Sequence, residues 1–165
     1  MTGRILFVCL GNICRSPAAE AVFRHIAQNA GLNQETDSAG TSDWHIGDPP
    51  YGPMQAAAGA RGYDLSGLRA RQLTARDFTE FDLIIGMDHS NLSTSEALRP
   101  EGALTPIRLL TEFAPRIAGG QNADHVPDPY YTRDFEGTLD LIEAACGGLA
   151  DQLAQNASAV SPKFL

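Results

Sequence analysis

Apolar runs at 4–9, 81–87 and 105–110 alternate with helical patterns at 17–30, 51–61 and 135–154, and a tight loop joins the first strand to the first helix. This alternation predicts an α/β fold, a single domain on a four-stranded parallel sheet with helices on both faces. Ligands of such sheets sit beyond the carboxyl ends of the strands, so the loop after the first strand, opening at Cys9, is the expected site.

Each element has its own signal. Ile5-Leu6-Phe7-Val8 marks residues 4–9 as a fully buried strand. Ser16 is the expected N-cap and Pro17 the expected first residue of a helix over 17–30; Ala18, Val22 and Ile26 recur there at four-residue spacing, and Gly31 ends the run. Gln34 to Ala39 supplies a second strand and Tyr51 to Arg61 a second helix. Phe81 to Met87, interrupted by Asp82, reads as a buried strand, and Asp88-His89-Ser90-Asn91 offers caps for a short helix behind it. Thr105 to Leu110 is the fourth strand. The last helix runs from Phe135 to about Ala154, with Leu139, Ile142, Cys146, Leu149 and Leu153 on one face. Gly119-Gly120-Gln121-Asn122 reads as a loop and Ser158 to Leu165 as a frayed tail, which bounds the domain at 1–157 and the tail at 158–165.

The 165 residues, 43% of them hydrophobic, suffice for one domain with a real core. Twelve basic residues against twenty acidic ones give a net charge of −8, with no basic run to follow a phosphate backbone, so nucleic acid is not an expected partner. No stretch approaches the roughly 18 apolar residues of a membrane span, and the first residues lack a secretory pattern, which predicts a cytoplasmic protein away from membranes. Cys9, Cys14 and Cys146 contain no Cys-x-x-Cys pair, and His25, His45, His89 and His125 share no metal-ligand spacing. A disulfide framework and a zinc site are therefore not expected, and the histidines read as surface or helix-face residues.

The chemistry lies in Cys9-Leu10-Gly11-Asn12-Ile13-Cys14-Arg15-Ser16. A strand turning tightly into a helix points several backbone N–H groups into one concavity, where a phosphate fits. A thiol on the floor of that concavity feels the helix N-terminus and the Arg15 guanidinium, and both favour thiolate. Arg15 offers parallel donors suited to the oxygens of a transferring phosphoryl group. The predicted reaction is phosphoryl transfer to sulfur. The leaving oxygen then needs a proton, and Asp128 in Val126-Pro127-Asp128-Pro129-Tyr130-Tyr131, held between two prolines, is the candidate acid. Taken alone, that segment reads equally well as a turn.

The chain resembles the low-molecular-weight protein tyrosine phosphatases over nearly all its length. The residues that carry the resemblance are Val8 to Pro17, Asp37-Ser38-Ala39-Gly40-Thr41, Ala70-Arg71-Gln72-Leu73, Asp88-His89-Ser90-Asn91-Leu92 and Asp128-Pro129-Tyr130-Tyr131, in the family's order. The resemblance implies that Cys9 becomes phosphocysteine and that Arg15 binds the phosphoryl oxygens beside the loop residues Leu10, Gly11, Asn12, Ile13 and Cys14. Asp128 then protonates the leaving group and activates water. It further implies a left-handed Asn12 whose side chain joins Ser16 and Ser38 in holding the loop open. Leu68 stands where the family often has histidine, which predicts a smaller supporting network or one completed by water.

Trp44, in a polar segment, is expected on a surface loop where it walls a slot for an aryl ring with Tyr130 and Tyr131. Cys14 is a candidate redox partner for Cys9, following family precedent, and Cys146 is expected in the core. The expected partners are phosphotyrosine proteins, among them a bacterial tyrosine kinase, acted on by a monomer or weak homodimer without metal or organic cofactor. Three other readings share the loop. Thioredoxin-coupled arsenate reductase needs two further cysteines close together, and only Cys146 remains. Arginine phosphatases typically carry threonine at the place of Ile13. A non-catalytic phosphotyrosine-binding module needs neither nucleophile nor acid.

Overall fold

The structure, a computed structural model, describes residues 3–115 and 123–157. The loop expected at 119–122 and the tail expected at 158–165 lie outside these residues. Four strands, β1 (Gly3–Cys9), β2 (Gln34–Gly40), β3 (Leu83–Gly86) and β4 (Ile107–Leu109), form a parallel sheet in the order β2-β1-β3-β4. The helices are α1 (Arg15–Asn29), α2 (Gly52–Ala60), α3 (Asp77–Glu80), α4 (His89–Ala97), α5 (Pro129–Thr132) and α6 (Phe135–Ala157), with a 3-10 turn at Leu110–Phe113. This is the α/β single domain read from the sequence.

Strand periodicity divides the core. Ile5, Phe7 and Cys9 point to the face that carries α1 and α6, packing with Phe23, Leu139, Ile142 and Leu149. Leu6 and Val8 point to the other face, against Leu73, Phe78 and Phe81 beside α3. The predicted stripe of α6 is buried throughout, Cys146 included. On α1 the buried surface is wider than Ala18, Val22 and Ile26: Ala19, Phe23 and Ala27 are buried, and Ile26 is only partly so. Among the described residues no helix is long and apolar enough to cross a membrane.

The start of α1 corrects the sequence reading. The helix begins at Arg15, its N-cap is Cys14 with no side-chain cap bond, and Pro17 is its third residue. Ser16 does not cap, because its hydroxyl turns into the loop instead. The apolar run at 81–87 yields strand only at Leu83–Gly86, and that at 105–110 only at Ile107–Leu109 before the 3-10 turn.

β1 is central, and the chain leaves it first toward β2 and later returns on its other side as β3. The carboxyl end of β1 is thus the point where strand order reverses, which opens a crevice. The loop from Cys9 to Arg15 fills its floor.

Candidate active site

Backbone bonds fix the loop from several sides. Thr41 N–H donates to the Cys9 carbonyl (2.8 Å), Ser42 N–H to that of Leu10 (3.0 Å) and Tyr51 N–H to that of Ile13 (2.8 Å). Gly40 permits this approach: a β-carbon there would stand 2.8 Å from the Leu10 carbonyl oxygen and 3.2 Å from Asn12. Asn12 has φ +57°, the left-handed conformation implied by the resemblance and one that asparagine tolerates. Its N–H points back at the Cys9 sulfur, 3.3 Å away.

A network of side chains lies beneath the loop. Arg71 N–H donates to Asn12 Oδ1 (3.0 Å), which fixes the orientation of the amide. Asn12 Nδ2 then donates to Ser16 Oγ (2.8 Å) and Ser38 Oγ (3.0 Å). Ser38 passes its own hydrogen to Glu20 Oε1 (2.7 Å), and Arg24 donates to Glu20 Oε2 (2.6 Å). Ser16 Oγ lies 3.0 Å from Cys9 Sγ and 3.5 Å from the Ala39 carbonyl. Having accepted from Asn12, Ser16 has its one hydrogen within reach of both the sulfur and the Ala39 carbonyl.

Glu20 extends this network beneath the loop, while Leu68 packs against the core. Burial raises the Glu20 carboxyl above its ordinary range, against the lowering effect of Ser38 and Arg24. Glu20 was not singled out from the sequence. Its signal was there: it lies four residues after Ser16, on the same face of α1.

Arg15 is 2% exposed. Its Nη1 donates to Asp88 Oδ2 (2.7 Å) and to the Val126 carbonyl (2.9 Å), and its Nη2 lies 3.3 Å from Asp128 Oδ2. Burial alone would disfavour the charge, but Cys9, Asp88 and Asp128 outweigh it and hold the guanidinium protonated. Its Nε, also buried, has no hydrogen-bond partner among the described residues. An orphaned buried donor in the loop that carries Cys9 is suited to an anion.

Asp128 caps α5, accepting from Tyr130 N–H with Oδ1 (3.1 Å) while Oδ2 faces Arg15. Asp88 has a comparable double use. Its Oδ1 accepts from Asn91 N–H (2.8 Å), the cap expected for α4, and its Oδ2 holds Arg15. The sequence reading missed that second role, although Asp88 follows β3 at the carboxyl end of the sheet.

The loop opens into a cleft of about 170 Å³. Cys9, Leu10, Gly11, Ile13, Cys14 and Arg15 form its floor, and Asp128, Trp44, Tyr130 and Tyr131 its walls. Every predicted floor and wall residue comes together there except Asn12, which lies beneath the loop with Ser16 and Ser38. Trp44 is 65% and Tyr131 69% exposed, so neither is core. His45, read from the sequence only as a surface residue, also lines the cleft, with Nδ1 3.2 Å from Asp48 Oδ2.

All three cysteines are free and buried. Burial, with the nearby Cys9 and Asp128, pushes the Cys14 thiol up to about 12. Burial likewise pushes the Cys146 thiol up; its sulfur lies 3.8 Å from the Ala19 carbonyl, in the core.

Known proteins resemble this chain in sequence and fold. The model of the low molecular weight phosphotyrosine protein phosphatase family matches residues 4–159. A low molecular weight protein-tyrosine-phosphatase of Streptomyces coelicolor is 45% identical over 154 residues, covering 90% of this chain and 92% of its own. YfkJ of Bacillus subtilis, a protein of the same description, is 42% identical over 144 residues, covering 86% and 90%. The crystal structure of a protein tyrosine phosphatase from Entamoeba histolytica, with Hepes in its active site, superposes with a TM-score of 0.86 at 36% identity, covering 94% of this chain and 99% of that one. With the match running through both the loop and the acid segment, the chain belongs to the low molecular weight phosphotyrosine protein phosphatase family.

Proposed function

We propose that Cys9 is the nucleophile, Arg15 the phosphoryl-binding cation and Asp128 the general acid and base of this protein-tyrosine phosphatase. The Cys9 sulfur attacks phosphorus in line with the departing tyrosyl oxygen. The S–P bond forms as the P–O bond breaks, and Asp128 delivers its proton to the leaving oxygen. Water then attacks phosphorus, Asp128 takes its proton, and inorganic phosphate leaves as the electron pair of the S–P bond returns to sulfur. Loop amides and Arg15 hold the equatorial oxygens throughout, providing the electrostatic stabilisation that such a transfer chiefly needs.

The observation that carries this reading is the buried, unpartnered Nε of Arg15 beside a sulfur that already accepts from Asn12 N–H and faces Ser16 Oγ. Asn12, Ser16 and Ser38 hold the loop, and Trp44, Tyr130 and Tyr131 wall a slot for the aryl ring. The substrates are phosphotyrosine proteins, with a bacterial tyrosine kinase among them. The site works in the cytoplasm, on a domain ending near residue 157, in a monomer or weak homodimer. Under peroxide, Cys9 is oxidised to a sulfenic acid and Cys14 displaces water from it, forming a disulfide. Hydrolysis of a phosphotyrosine peptide and a phosphoarginine peptide, measured without added metal for the wild type and Cys9→Ser, tests the assignment. Metal-independent turnover of phosphotyrosine that vanishes in the variant is the expected result, and turnover that survives in the variant overturns it.

A further inference from the structure

Two non-glycine residues among those described adopt positive φ. Asn12 does so to shape the loop. The other is Arg133, at φ +64° and ψ +11°, closing α5 in a conformation that favours glycine or asparagine. An arginine is held there with a defined posture. Its Nη1 donates to Tyr51 Oη (2.9 Å), and its Cζ stands 5.4 Å from the centre of the Tyr51 ring and 5.1 Å from that of Phe135. Two aromatic faces and a hydroxyl thus fix the guanidinium at the surface.

Its charge has no carboxylate partner among the described residues. Arg15, Arg24, Arg61, Arg71, Arg99 and Arg108 are each paired with acids. Arg69 also lacks one, but its Nη1 is taken by the Ser66 and Leu68 carbonyls. Arg133 has no acid within 4.0 Å among the described residues. The adjacent Asp134 turns away to cap α6, accepting from Gly137 N–H (2.8 Å). Nε and Nη2 of Arg133 have no acceptor among the described residues.

The position is at the edge of the catalytic cleft. Tyr51, under the guanidinium, donates its N–H to Ile13 in the loop, and its ring lies 5.2 Å from that of Tyr130, a wall of the cleft. The charge also reaches the loop interior, where it favours ionisation of Cys14 against the effect of burial. In a chain of net charge −8, this is a local cation next to the place where a phosphotyrosine ring enters.

We infer that Arg133, on its Tyr51 and Phe135 platform, forms a subsite for an aspartate or glutamate side chain of the substrate, near the phosphotyrosine in sequence. The inference rests on the phosphotyrosine phosphatase reading and adds a substrate class to it. A guanidinium already immobilised loses little entropy on pairing, and its two free donors suit a carboxylate.

The test uses two phosphotyrosine peptides, identical except that acidic residues flanking the phosphotyrosine in one are replaced by their amides in the other. Each is assayed with the wild type and with Arg133→Gly, a change that suits the left-handed backbone. The wild type is expected to favour the acidic peptide about threefold in kcat/KM, through KM, with the preference shrinking at high salt. In Arg133→Gly the two peptides become equivalent. A preference that persists in the variant, or an equal loss on both peptides, overturns the subsite. Equal turnover of both peptides by the wild type also overturns it and leaves the phosphatase reading intact, whereas turnover of neither sinks both.

Discussion

Ser16 Oγ lies 3.0 Å from Cys9 Sγ, at the end of a hydrogen-bond chain that runs from Arg71 N–H through the Asn12 amide. Because Asn12 already donates to the Ser16 oxygen, the serine hydrogen is free for the sulfur. In the proposed mechanism the Ser16 hydroxyl is thus placed to donate to the sulfur as it leaves phosphorus. Ser16→Ala is expected to slow turnover roughly tenfold to a hundredfold, the worth of a hydrogen bond to a charged group. Steady-state kcat with p-nitrophenyl phosphate measures this; a change within twofold would mean that the contact has no part in catalysis.

Asp128 faces Arg15 with one oxygen and is tied to Tyr130 N–H by the other, so its carboxyl sits over the cleft in one orientation. Asp128→Ala is expected to lower kcat/KM, which reports only the steps up to loss of the leaving group, by roughly 10²–10⁴ on alkyl phosphates, whose leaving oxygens need a proton. The loss should shrink for aryl phosphates of increasingly acidic phenols. A loss that is the same for every leaving group would assign Asp128 to binding rather than proton transfer.

Trp44, Tyr130 and Tyr131 stand exposed around a cleft whose floor is the phosphate loop. Stacking of one aryl ring on an indole is worth about 0.5–1.5 kcal/mol. Trp44→Ala should therefore reduce kcat/KM for aryl phosphates roughly 2- to 10-fold while changing small alkyl phosphates less. Equal losses on both classes would remove Trp44 from substrate selection.

Glu20 gives a prediction in pH. Burial raises its carboxyl above the ordinary 4.5, so the folded chain keeps a proton there over a range in which the unfolded chain has released it. Within that range, upward from 4.5, the stability owed to this group falls as pH rises. Urea unfolding of the wild type and Glu20→Gln across pH should show the wild type losing ground to the variant as pH climbs through that range. A stability difference that does not vary with pH would contradict a raised carboxyl.

The loop was legible in the sequence because Cys9 to Ser16 are contiguous, and its backbone setting followed from the apolar run before it and the helix after it. Asp128 became legible only beside that loop. Glu20 was passed over although its spacing from Ser16 was visible, whereas the contact of Asp88 with Arg15 escaped notice for a physical reason: it arises from register. The parallel pairing of β1 with β3 sets Gly86 beside Val8, so the chain after β3 rises next to the loop after β1. No local pattern encodes that neighbourhood. The helices α3 and α5, four residues each, are too short for periodicity to reveal. Ser16 misled as a cap because serine is used equally well as a donor inside a loop.

The central claim is that phosphate passes through the Cys9 sulfur. Rapid acid quench of the enzyme during turnover of p-nitrophenyl phosphate, followed by peptide mass spectrometry, tests it directly, and Asp128→Ala is included to slow hydrolysis of the intermediate. The account predicts one phosphoryl group on Cys9 in the quenched protein and none in Cys9→Ser. Turnover with Cys9 unmodified at every quench time, or a phosphoryl group on another residue, would contradict it.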